Sequence, residues 1–278
     1  MGELRERFDN HMILRGLSPN TRRGYLYHMT QLTRFHMRSP DMLSNDEIQK
    51  YLLHLIVRKK QAYDTINQAF SGFRLFYAGL LRRDKTEFHI PPRPKMKKLP
   101  LVYSVEDVVR IIDATGNLKH RALLMTTYSA GLGVDEVTRL RPEYIESKRM
   151  LIRVDRGKGK KDRYTLLAAK TLQTLRDYWR SYKPGEWLFV GKNPEKPMPI
   201  GTAQKIFYKA KKRSGVTGGR GIRTLRHCFA THLIDAGVDV YTVKRMMGHS
   251  SLSTTAKYVH VTKQKISEIV SPLDRHIG

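Results

Sequence analysis

The sequence predicts a mainly α protein with a small antiparallel β-sheet, divided into a helical N-terminal domain and an α+β C-terminal domain. Three observations predict this fold class. Amphipathic runs at helical spacing fill residues 1–85, prolines interrupt the pattern at 86–100, and residues 101–278 add two strand-like segments to further helices. The 278 residues, of which 40% are hydrophobic, are enough for two modest cores.

Residues 1–85 contain three amphipathic segments that predict a small all-helical domain. The first begins at Ser18, a capping residue directly before a proline, which suits a helix start. The second begins at Ser44, where Glu47 three residues later completes a capping box. The third, at 66–80, is rich in aromatic residues at helical spacing.

The segment 86–100 is predicted to be an extended linker. Proline lacks a backbone N–H and restricts the residue before it, so the prolines of this stretch exclude a helix. The basic residues interleaved with them are Arg93, Lys95, Lys97 and Lys98. A basic extended chain between two basic domains can follow a phosphate backbone, which makes these four residues candidate DNA contacts. A solvated hinge explains the composition equally well.

The C-terminal domain, 101–278, opens with a further capping pattern from Ser104 to Asp107. Its other predicted elements are an apolar helix around 122–128, strands at 150–154 and 164–167 joined by a basic hairpin at 156–163, and helices at 172–179 and 202–214. Because a short glycine-containing turn joins the two strands, they are expected to pair antiparallel.

Net charge gives the first indication of function. The chain has 52 Lys and Arg against 25 Asp and Glu, a formal net charge of +27 and a pI near 10.3. A surplus of this size repels itself in a compact fold and is best neutralised by a polyanion. Because the surplus is spread along the whole chain, nucleic acid is the predicted partner, in preference to a merely solvated basic surface.

Composition disfavours membrane insertion, disulfides and cysteine-based metal sites. No apolar run approaches the roughly 18 residues that span a bilayer, and the start MGELRERFDN predicts no signal segment. Cys228 is the only cysteine, which excludes an intramolecular disulfide and a Cys-based zinc site and fits a reducing compartment. We therefore expect a cytoplasmic protein.

The last third of the chain carries residue types suited to attack on a phosphodiester without a metal. Such a reaction needs a nucleophile, donors for the non-bridging phosphate oxygens and an acid for the leaving 5′ oxygen. Arg226 can hold a phosphate bidentately, His249 can donate to it or assist proton transfer, and Tyr258 can be the nucleophile. A basic surround is expected to favour the Tyr258 phenolate. Singly, such residues are usually structural, so their joint arrangement carries the prediction.

Three sequence blocks surround these residues. They are LRHCFATHL at 225–233, MGH at 247–249 and STTAKYVHV at 253–261. Together they resemble the signature of the tyrosine recombinases, the family of phage and integron integrases and of the Xer-type enzymes. The separations between the blocks also agree with those of the Xer-type enzymes, and the resemblance covers the whole chain.

By this resemblance the N-terminal domain is a core-binding domain that forms a C-shaped clamp around duplex DNA together with the catalytic domain. The hairpin at 157–163 resembles the one whose lysine, here Lys158, protonates the leaving 5′ hydroxyl; a simple phosphate contact is the alternative role for Lys158. Lys160 and Lys161 on the same hairpin are candidate DNA contacts. The tail at 266–273 resembles a helix that docks on a neighbouring subunit, and packing in cis is its alternative.

The resemblance also implies a reaction and its partners. Tyr258 would attack the scissile phosphate to form a 3′-phosphotyrosyl bond, and a 5′ hydroxyl from a partner duplex would then reseal the strand, without a metal, ATP or another cofactor. The substrate is expected to be double-stranded DNA carrying recombination sites, held by a homotetramer. The protein free of DNA is expected to be a monomer or dimer.

Two positions depart from the family pattern. Gly133, in the motif AGLGVDE, stands where the family has its first catalytic arginine, and Arg223 replaces the usual His or Lys three residues before Arg226. Loss of one such donor lowers a rate by about 10²–10³. Arg223 and Arg226 share a helix face at i and i+3, so we expect Arg223 to compensate in part. Arg139 and Arg141 lie two or more helical turns beyond 133 and are not assigned as replacements.

Two functions of different classes therefore remain open. An active site-specific recombinase or integrase is favoured because Lys158, Arg226, His249 and Tyr258 occur together. A catalytically weakened relative, which binds and bends its sites or joins a mixed tetramer, is favoured by Gly133. Relaxation of DNA in the manner of a topoisomerase is a third option, since the same chemistry can act without strand exchange.

Overall fold

The computed structural model describes residues 2–83, 87–92, 101–155 and 162–259. The chain divides into two compact units, Met1–Lys97 and Lys98–Gly278, and each has its own core. The predicted fold class is confirmed, since the described stretches are mostly helical and hold one three-stranded antiparallel sheet. No helix within these stretches combines the length and the apolar character needed to cross a membrane.

Unit 1, Met1–Lys97, is a helical domain with short connections. Its α-helices are α1 (Gly2–Leu14), α2 (Pro19–His36), α3 (Asn45–Val57) and α4 (Tyr63–Arg74), with a 3₁₀ turn at Pro40–Met42 and a π-helical turn at Leu75–Leu80 that continues α4. Both predicted caps are confirmed. The Ser18 hydroxyl accepts a hydrogen bond from the Thr21 backbone N–H at 3.2 Å, and Ser44 with Glu47 forms the capping box.

The core of unit 1 forms where these helices face one another. Helix α1 buries Phe8 and Met12 in it and packs Leu4 against it in part, and so sparse an apolar pattern explains why α1 has no counterpart among the predicted elements. Phe8 packs edge-on against Phe76, with ring centroids 5.1 Å apart. The buried Tyr77 hydroxyl donates to the Pro40 carbonyl at 2.6 Å. The π-helical turn therefore ties the end of α4 to the 3₁₀ turn.

Unit 2, Lys98–Gly278, contains the remaining helices and the sheet. In chain order they are α5 (Val105–Asp113), α6 (Leu118–Ser129), α7 (Val134–Thr138), a 3₁₀ turn (Pro142–Tyr144), β1 (Ile145–Glu146), β2 (Leu151–Val154), β3 (Arg163–Leu166), α8 (Ala169–Tyr182), α9 (Ile200–Ser214), α10 (Arg223–Asp235), α11 (Val240–Met247) and α12 (Ser253–Val259). The predicted cap of α5 is confirmed, because the Ser104 hydroxyl accepts from the Asp107 backbone N–H at 3.1 Å.

The sheet has the order β1-β2-β3, and both pairings are antiparallel. Ile152 of β2 faces Thr165 of β3, which confirms the predicted pairing of these two strands. Strand β1 is only two residues long, too short for an alternating pattern, so the sequence does not predict it. The basic hairpin between β2 and β3 lies, at 156–161, outside the described residues.

The turn between α6 and α7 contacts α10 through a glycine. Gly131 has φ +60°, and a Cβ there would lie 2.2 Å from Cδ1 of the Phe229 ring. Only glycine fits both the backbone conformation and the space. The turn therefore approaches α10 closely, and this approach brings the Gly131 carbonyl within reach of the Arg226 side chain.

Helices α10, α11 and α12 pack against one another around a small apolar cluster of their own. Phe229 of α10, Val243 and Met247 of α11, and Tyr258 of α12 are all buried in it. This three-helix cluster brings together in space the sequence blocks at 225–233 and 247–249 and the described part, 253–259, of the third block.

Candidate active site

Arg226 projects from α10 and is held by the protein on several sides. Its Nη1 donates at 2.8 Å to the Gly131 carbonyl and at 2.8 Å to Glu136 Oε2, and its Nη2 donates to the Met247 carbonyl. Burial lowers the pKa of Arg226, and the Glu136 carboxylate opposes that effect. An arginine remains charged under such conditions, so the guanidinium is a fixed cation.

Glu136 on α7 supplies the balancing negative charge, and it is shared between two arginines. Besides Arg226, it accepts from Nη1 and Nη2 of Arg163 at 2.7 and 2.9 Å, and from the Gly133 backbone N–H at 2.7 Å. Burial works against its ionisation, but the hydrogen bonds and charges of Arg163 and Arg226 outweigh burial and lower the pKa of Glu136 to about 2. The carboxylate is therefore ionised throughout the physiological range.

Glu136 and Arg163, which form a network with Arg226, are not among the predicted site residues. Arg163 is buried at the start of β3, and its Nε donates to the Met246 carbonyl at 2.6 Å. Arg163 and Glu136 are 27 positions apart in the chain, so their pairing cannot be predicted from the sequence and becomes visible only in the folded structure.

Tyr258 lies in the three-helix cluster, with only 1% of its surface exposed. Its hydroxyl oxygen is 2.7 Å from Nδ1 of His227. Burial raises the pKa of Tyr258 to about 12, although the positive charges of Arg226 and Arg223 act in the opposite direction. The expectation that basic surroundings favour the phenolate is therefore wrong for this conformation. The two cations do act as expected, but burial is the larger effect.

His249 lies beside the same tyrosine. It follows Gly248, which ends α11 in the left-handed conformation with φ 64°, as a Gly-His pair at a helix end suggests. Nδ1 of His249 is 2.8 Å from the Thr255 hydroxyl. Its ring is stacked over that of Tyr258, with 6.5 Å between centroids and an interplanar angle of 18°. The imidazole is thus oriented by α12, the helix that carries Tyr258.

Arg223 is exposed at the first position of α10, three residues before Arg226. Its positive charge lowers the pKa of both Arg226 and Tyr258. Arg223 therefore lies close enough to these two residues to contribute positive potential at the site.

Gly133 is the N-cap of α7, with φ −68° and ψ 155°. Any residue adopts this extended conformation, so the backbone does not require glycine here. A Cβ at this position would lie 3.3 Å from Glu136 Oε2. A side chain at 133 would therefore begin directly beside the carboxylate that holds Arg226.

A cavity of about 450 Å³ opens next to this group, and its lining includes Glu136, Arg226, Gly248, Arg139 and Arg141. The expectation that Arg139 and Arg141 lie helical turns away from 133 is wrong, because α7 ends at Thr138 and the chain then turns. Both arginines consequently share one cavity with Arg226.

Arg139 and Arg141 already have acidic partners. Arg139 pairs with Asp135 at 3.1 Å, and Arg141 pairs with Glu186 at 2.9 Å. The Arg141 guanidinium also lies over the Trp187 ring, 4.9 Å from its centroid. These contacts fix the position of Arg141 more firmly than that of Arg139, whose one acidic partner among the described residues is the exposed Asp135.

Several predicted functional residues lie outside the described stretches of the chain. They are Lys158, Lys160, Lys161, Arg93, Lys95, Lys97, Lys98 and the tail at 266–273. Within residues 2–83, 87–92, 101–155 and 162–259, no group of three or more His, Cys, Asp or Glu side chains could hold a metal ion.

Two family models match the chain. The model described as Phage integrase family matches residues 102–265, and the model described as Phage integrase, N-terminal SAM-like domain matches residues 4–87. Together they cover parts of both structural units.

Individual relatives agree with these matches. An integrase/recombinase of Sinorhizobium fredii is 38% identical over 99% of this chain and 89% of the relative. A tyrosine recombinase XerC of Syntrophus aciditrophicus is 30% identical over 97% of this chain and 96% of the relative. Among solved structures, the Tn1549 transposon integrase in complex with a circular intermediate DNA shares the fold. Its TM-score is 0.73 at 18% identity, over 92% of this chain and 94% of that one.

The Phage integrase family model covers more than half of the chain, and two relatives are at least 30% identical to it. The shared fold and the three-helix cluster, in which the signature blocks meet, are consistent with these matches. This chain belongs to the phage integrase family, the tyrosine recombinases.

Proposed function

We propose that this protein is a site-specific DNA recombinase that cleaves and rejoins strands through a 3′-phosphotyrosyl intermediate, without a metal or ATP. One observation carries the proposal. Arg226, His249 and Tyr258 converge on the three-helix cluster, with the His249 ring stacked over Tyr258 and the Arg226 charge acting on the same phenol. Membership of the tyrosine recombinases supports the same reaction.

In the proposed cleavage step, Tyr258 Oη attacks the phosphorus atom of the scissile phosphate. Arg226 has five N–H donors, of which contacts among the described residues engage three, so two can bind the non-bridging oxygens. His249, with Nδ1 directed to Thr255, donates to the phosphate through its other ring nitrogen. Lys158 gives a proton to the leaving 5′ oxygen.

In the exchange step, a 5′ hydroxyl from a partner duplex attacks the phosphotyrosyl bond and releases the Tyr258 phenol. The phosphodiester energy is conserved in the phosphotyrosyl bond, so the step needs no ATP. Two such rounds on synapsed sites, in a homotetramer, pass through a Holliday junction. We propose a monomer or dimer for the protein free of DNA, and the tail at 266–273 as the segment that docks between subunits.

The charge of the chain supports DNA as the substrate, since its surplus of +27 suits a polyanion. We assign residues 1–85 to a core-binding domain, 86–100 to a basic linker along the phosphate backbone and 101–278 to the catalytic domain. Lys160 and Lys161, with the four basic linker residues, are the proposed backbone contacts. The cytoplasm is the proposed compartment, because the DNA substrate lies there.

A nicked suicide substrate tests the proposal. A DNA binding site is first selected from random duplexes. A nick is then placed close to the cleavage position, so that cleavage releases a short fragment that bears the 5′ hydroxyl. This fragment diffuses away, and the covalent protein–DNA adduct accumulates. Wild-type protein is expected to form an adduct, and Tyr258→Phe, which keeps the ring but lacks the nucleophile, is expected to form none. A tight gel shift with no adduct under any condition contradicts the enzyme and supports the weakened, DNA-binding alternative that Gly133 favours.

Arg223 is proposed to compensate in part for Gly133. Its charge already acts on Tyr258 and Arg226, so Arg223→Ala is expected to slow residual adduct formation by about tenfold or more. Arg213→Ala, which removes an exposed charge from the end of α9, is the matched control and is expected to leave the rate unchanged. Equal rates for wild type and Arg223→Ala would end the compensation hypothesis.

A further inference from the structure

His227 contacts the hydroxyl of the proposed nucleophile and has no part in the proposed reaction described so far. It directly follows Arg226 on α10, and its Nδ1 lies 2.7 Å from Tyr258 Oη. The two rings are inclined at 44°, with 5.7 Å between centroids. Neutral imidazole has one donor and one acceptor nitrogen, so with the proton on Nε2 the Nδ1 atom accepts from the phenol.

The nucleophile needs such an acceptor. The buried Tyr258 phenol is protonated at neutral pH, because burial raises its pKa to about 12. A phenol attacks phosphorus effectively only if a base removes its proton as the new bond forms. Arg226 and Arg223 stabilise negative charge on the oxygen, but a guanidinium carries no acceptor and cannot take the proton.

Two other groups near the site could accept a proton, the Glu136 carboxylate and the His249 imidazole, and both make hydrogen bonds to groups other than Tyr258. The Glu136 carboxylate accepts from Arg163, Arg226 and the Gly133 amide. Nδ1 of His249 lies 2.8 Å from the Thr255 hydroxyl, and its ring is held nearly parallel to that of Tyr258, at an interplanar angle of 18°.

We propose that His227 is a catalytic residue of strand cleavage and accepts the Tyr258 proton at Nδ1. The inference rests on the proposed recombinase function. As Tyr258 Oη bonds to phosphorus, the bond from phosphorus to the 5′ oxygen breaks, the phenol proton moves to Nδ1, and the 5′ oxygen takes a proton from Lys158. In the exchange step the flow reverses, and the His227 imidazolium returns a proton to Oη as the phosphotyrosyl bond breaks.

Two substitutions separate proton transfer from positioning. His227→Asn keeps an oxygen that can accept a hydrogen bond but cannot carry the proton, and His227→Phe removes both abilities while keeping an aromatic ring. Loss of a general base costs about 10²–10⁴ in rate. We therefore expect single-turnover adduct formation to fall at least about 100-fold in both variants, with unchanged DNA affinity and thermal stability. A rate for His227→Asn within about threefold of wild type overturns the proposal.

A substrate with sulfur in place of the bridging 5′ oxygen shows which proton transfer is lost. A thiolate leaves without an acid, so this substrate is expected to rescue Lys158→Ala, the matched control. It is expected to leave the His227 variants slow, because activation of the nucleophile is unaffected by the leaving group. Rescue of His227→Asn by sulfur would place His227 on the leaving-group side and contradict the assignment.

A measurement without catalysis keeps the inference separate from the proposed function. If wild-type protein forms no adduct, the recombinase proposal fails, and ¹⁵N NMR of labelled histidine rings still tests the contact. The expected spectrum has an unprotonated, hydrogen-bonded Nδ1 for one histidine, assigned to His227 by its loss in His227→Asn, and that signal shifts in Tyr258→Phe. The inference is overturned if Nδ1 of His227 carries the proton, or if its ¹⁵N signal does not shift in Tyr258→Phe.

Discussion

At the residue scale, Glu136 is the anion that compensates the charges of two arginines in the candidate site. It neutralises Arg226 and Arg163, whose side chains are only 12% and 7% exposed. Taking two guanidinium groups out of water is costly unless a charge and hydrogen bonds compensate them. Glu136 thus contributes to stability and also fixes the direction in which Arg226 presents its donors.

Glu136→Gln is expected to lower the free energy of unfolding by about 3–5 kcal/mol, because it leaves two buried cations without a counter-charge. Urea denaturation at pH 7 measures this loss. Glu143→Gln, at an exposed pair with Arg141, is the matched control and is expected to cost less than about 1 kcal/mol. An equally small loss of unfolding free energy in both variants would contradict the proposal that Glu136 stabilises the fold by compensating Arg226 and Arg163.

The same carboxylate predicts a pH dependence. The pKa of Glu136 is lowered from 4.5 to about 2 in the folded state, so the stability it contributes is fully present above pH 4.5 and is lost as pH falls towards 2. The gap in unfolding free energy between wild type and Glu136→Gln is therefore expected to narrow over this interval. A gap that stays constant from pH 5 to pH 2.5 would show that the carboxylate is not the cause.

Gly133→Arg is expected to raise the rate of adduct formation by about 10²–10³, the usual value of one preorganised donor to a phosphate. The backbone at 133 accepts any residue, and the new side chain would begin beside Glu136. Gly133→Ala is the control, since it adds a Cβ without a donor and is expected to give no gain. The rate of adduct formation is measured on the nicked substrate. An unchanged rate in Gly133→Arg contradicts the proposal that position 133 is where the family has its first catalytic arginine.

At the scale of elements, α10 organises the site, because it carries Arg223, Arg226 and His227 and packs Phe229 against the turn after α6. The closeness of that turn depends on Gly131, whose carbonyl accepts from Arg226. Local signals in the sequence predict the helix starts at Ser18, Ser44 and Ser104, since a cap involves residues only three apart. They do not predict β1 or the short α7, which are set by tertiary packing.

The residues of the candidate site also fall into those that the sequence predicts and those that only tertiary contacts reveal. The signature blocks predict Arg226, His249 and Tyr258 as site residues, because the three blocks occur together at the family's spacing, although each residue type alone is usually structural. The Arg163–Glu136 pair and the burial that raises the pKa of Tyr258 depend on segments far apart in the chain. No periodicity or spacing reports such contacts, so they emerge only from the folded structure.

Gly131→Ala is expected to destabilise unit 2 by about 1–3 kcal/mol, because its Cβ would overlap the Phe229 ring and its φ of +60° disfavours alanine. Gly116→Ala is the matched control, since a Cβ there meets nothing within 4 Å. That control is expected to stay within about 0.5 kcal/mol of wild type in thermal or urea denaturation. A stable Gly131→Ala protein would show that the turn does not need glycine.

At the scale of the whole molecule, the charge of +27 dominates the expected interaction with DNA. Binding that releases counterions weakens in proportion to the number of phosphates neutralised. A protein with 6–10 phosphate contacts loses about 10³–10⁵ in affinity between 50 and 200 mM salt. We expect a loss in this range, measured by fluorescence anisotropy on a duplex, and a slope near zero would contradict the polyanion interpretation of the charge.

The conformation at Gly133 bears on how few base changes in the gene would place an arginine there. Every glycine codon becomes an arginine codon through one base change, from GGN to CGN. The backbone at 133 already suits arginine, and Glu136 and Arg226 are still in place beside it. An arginine at 133 would therefore require a single nucleotide substitution, and under the proposed function it would add one phosphate donor to those that Arg226 and Arg223 supply.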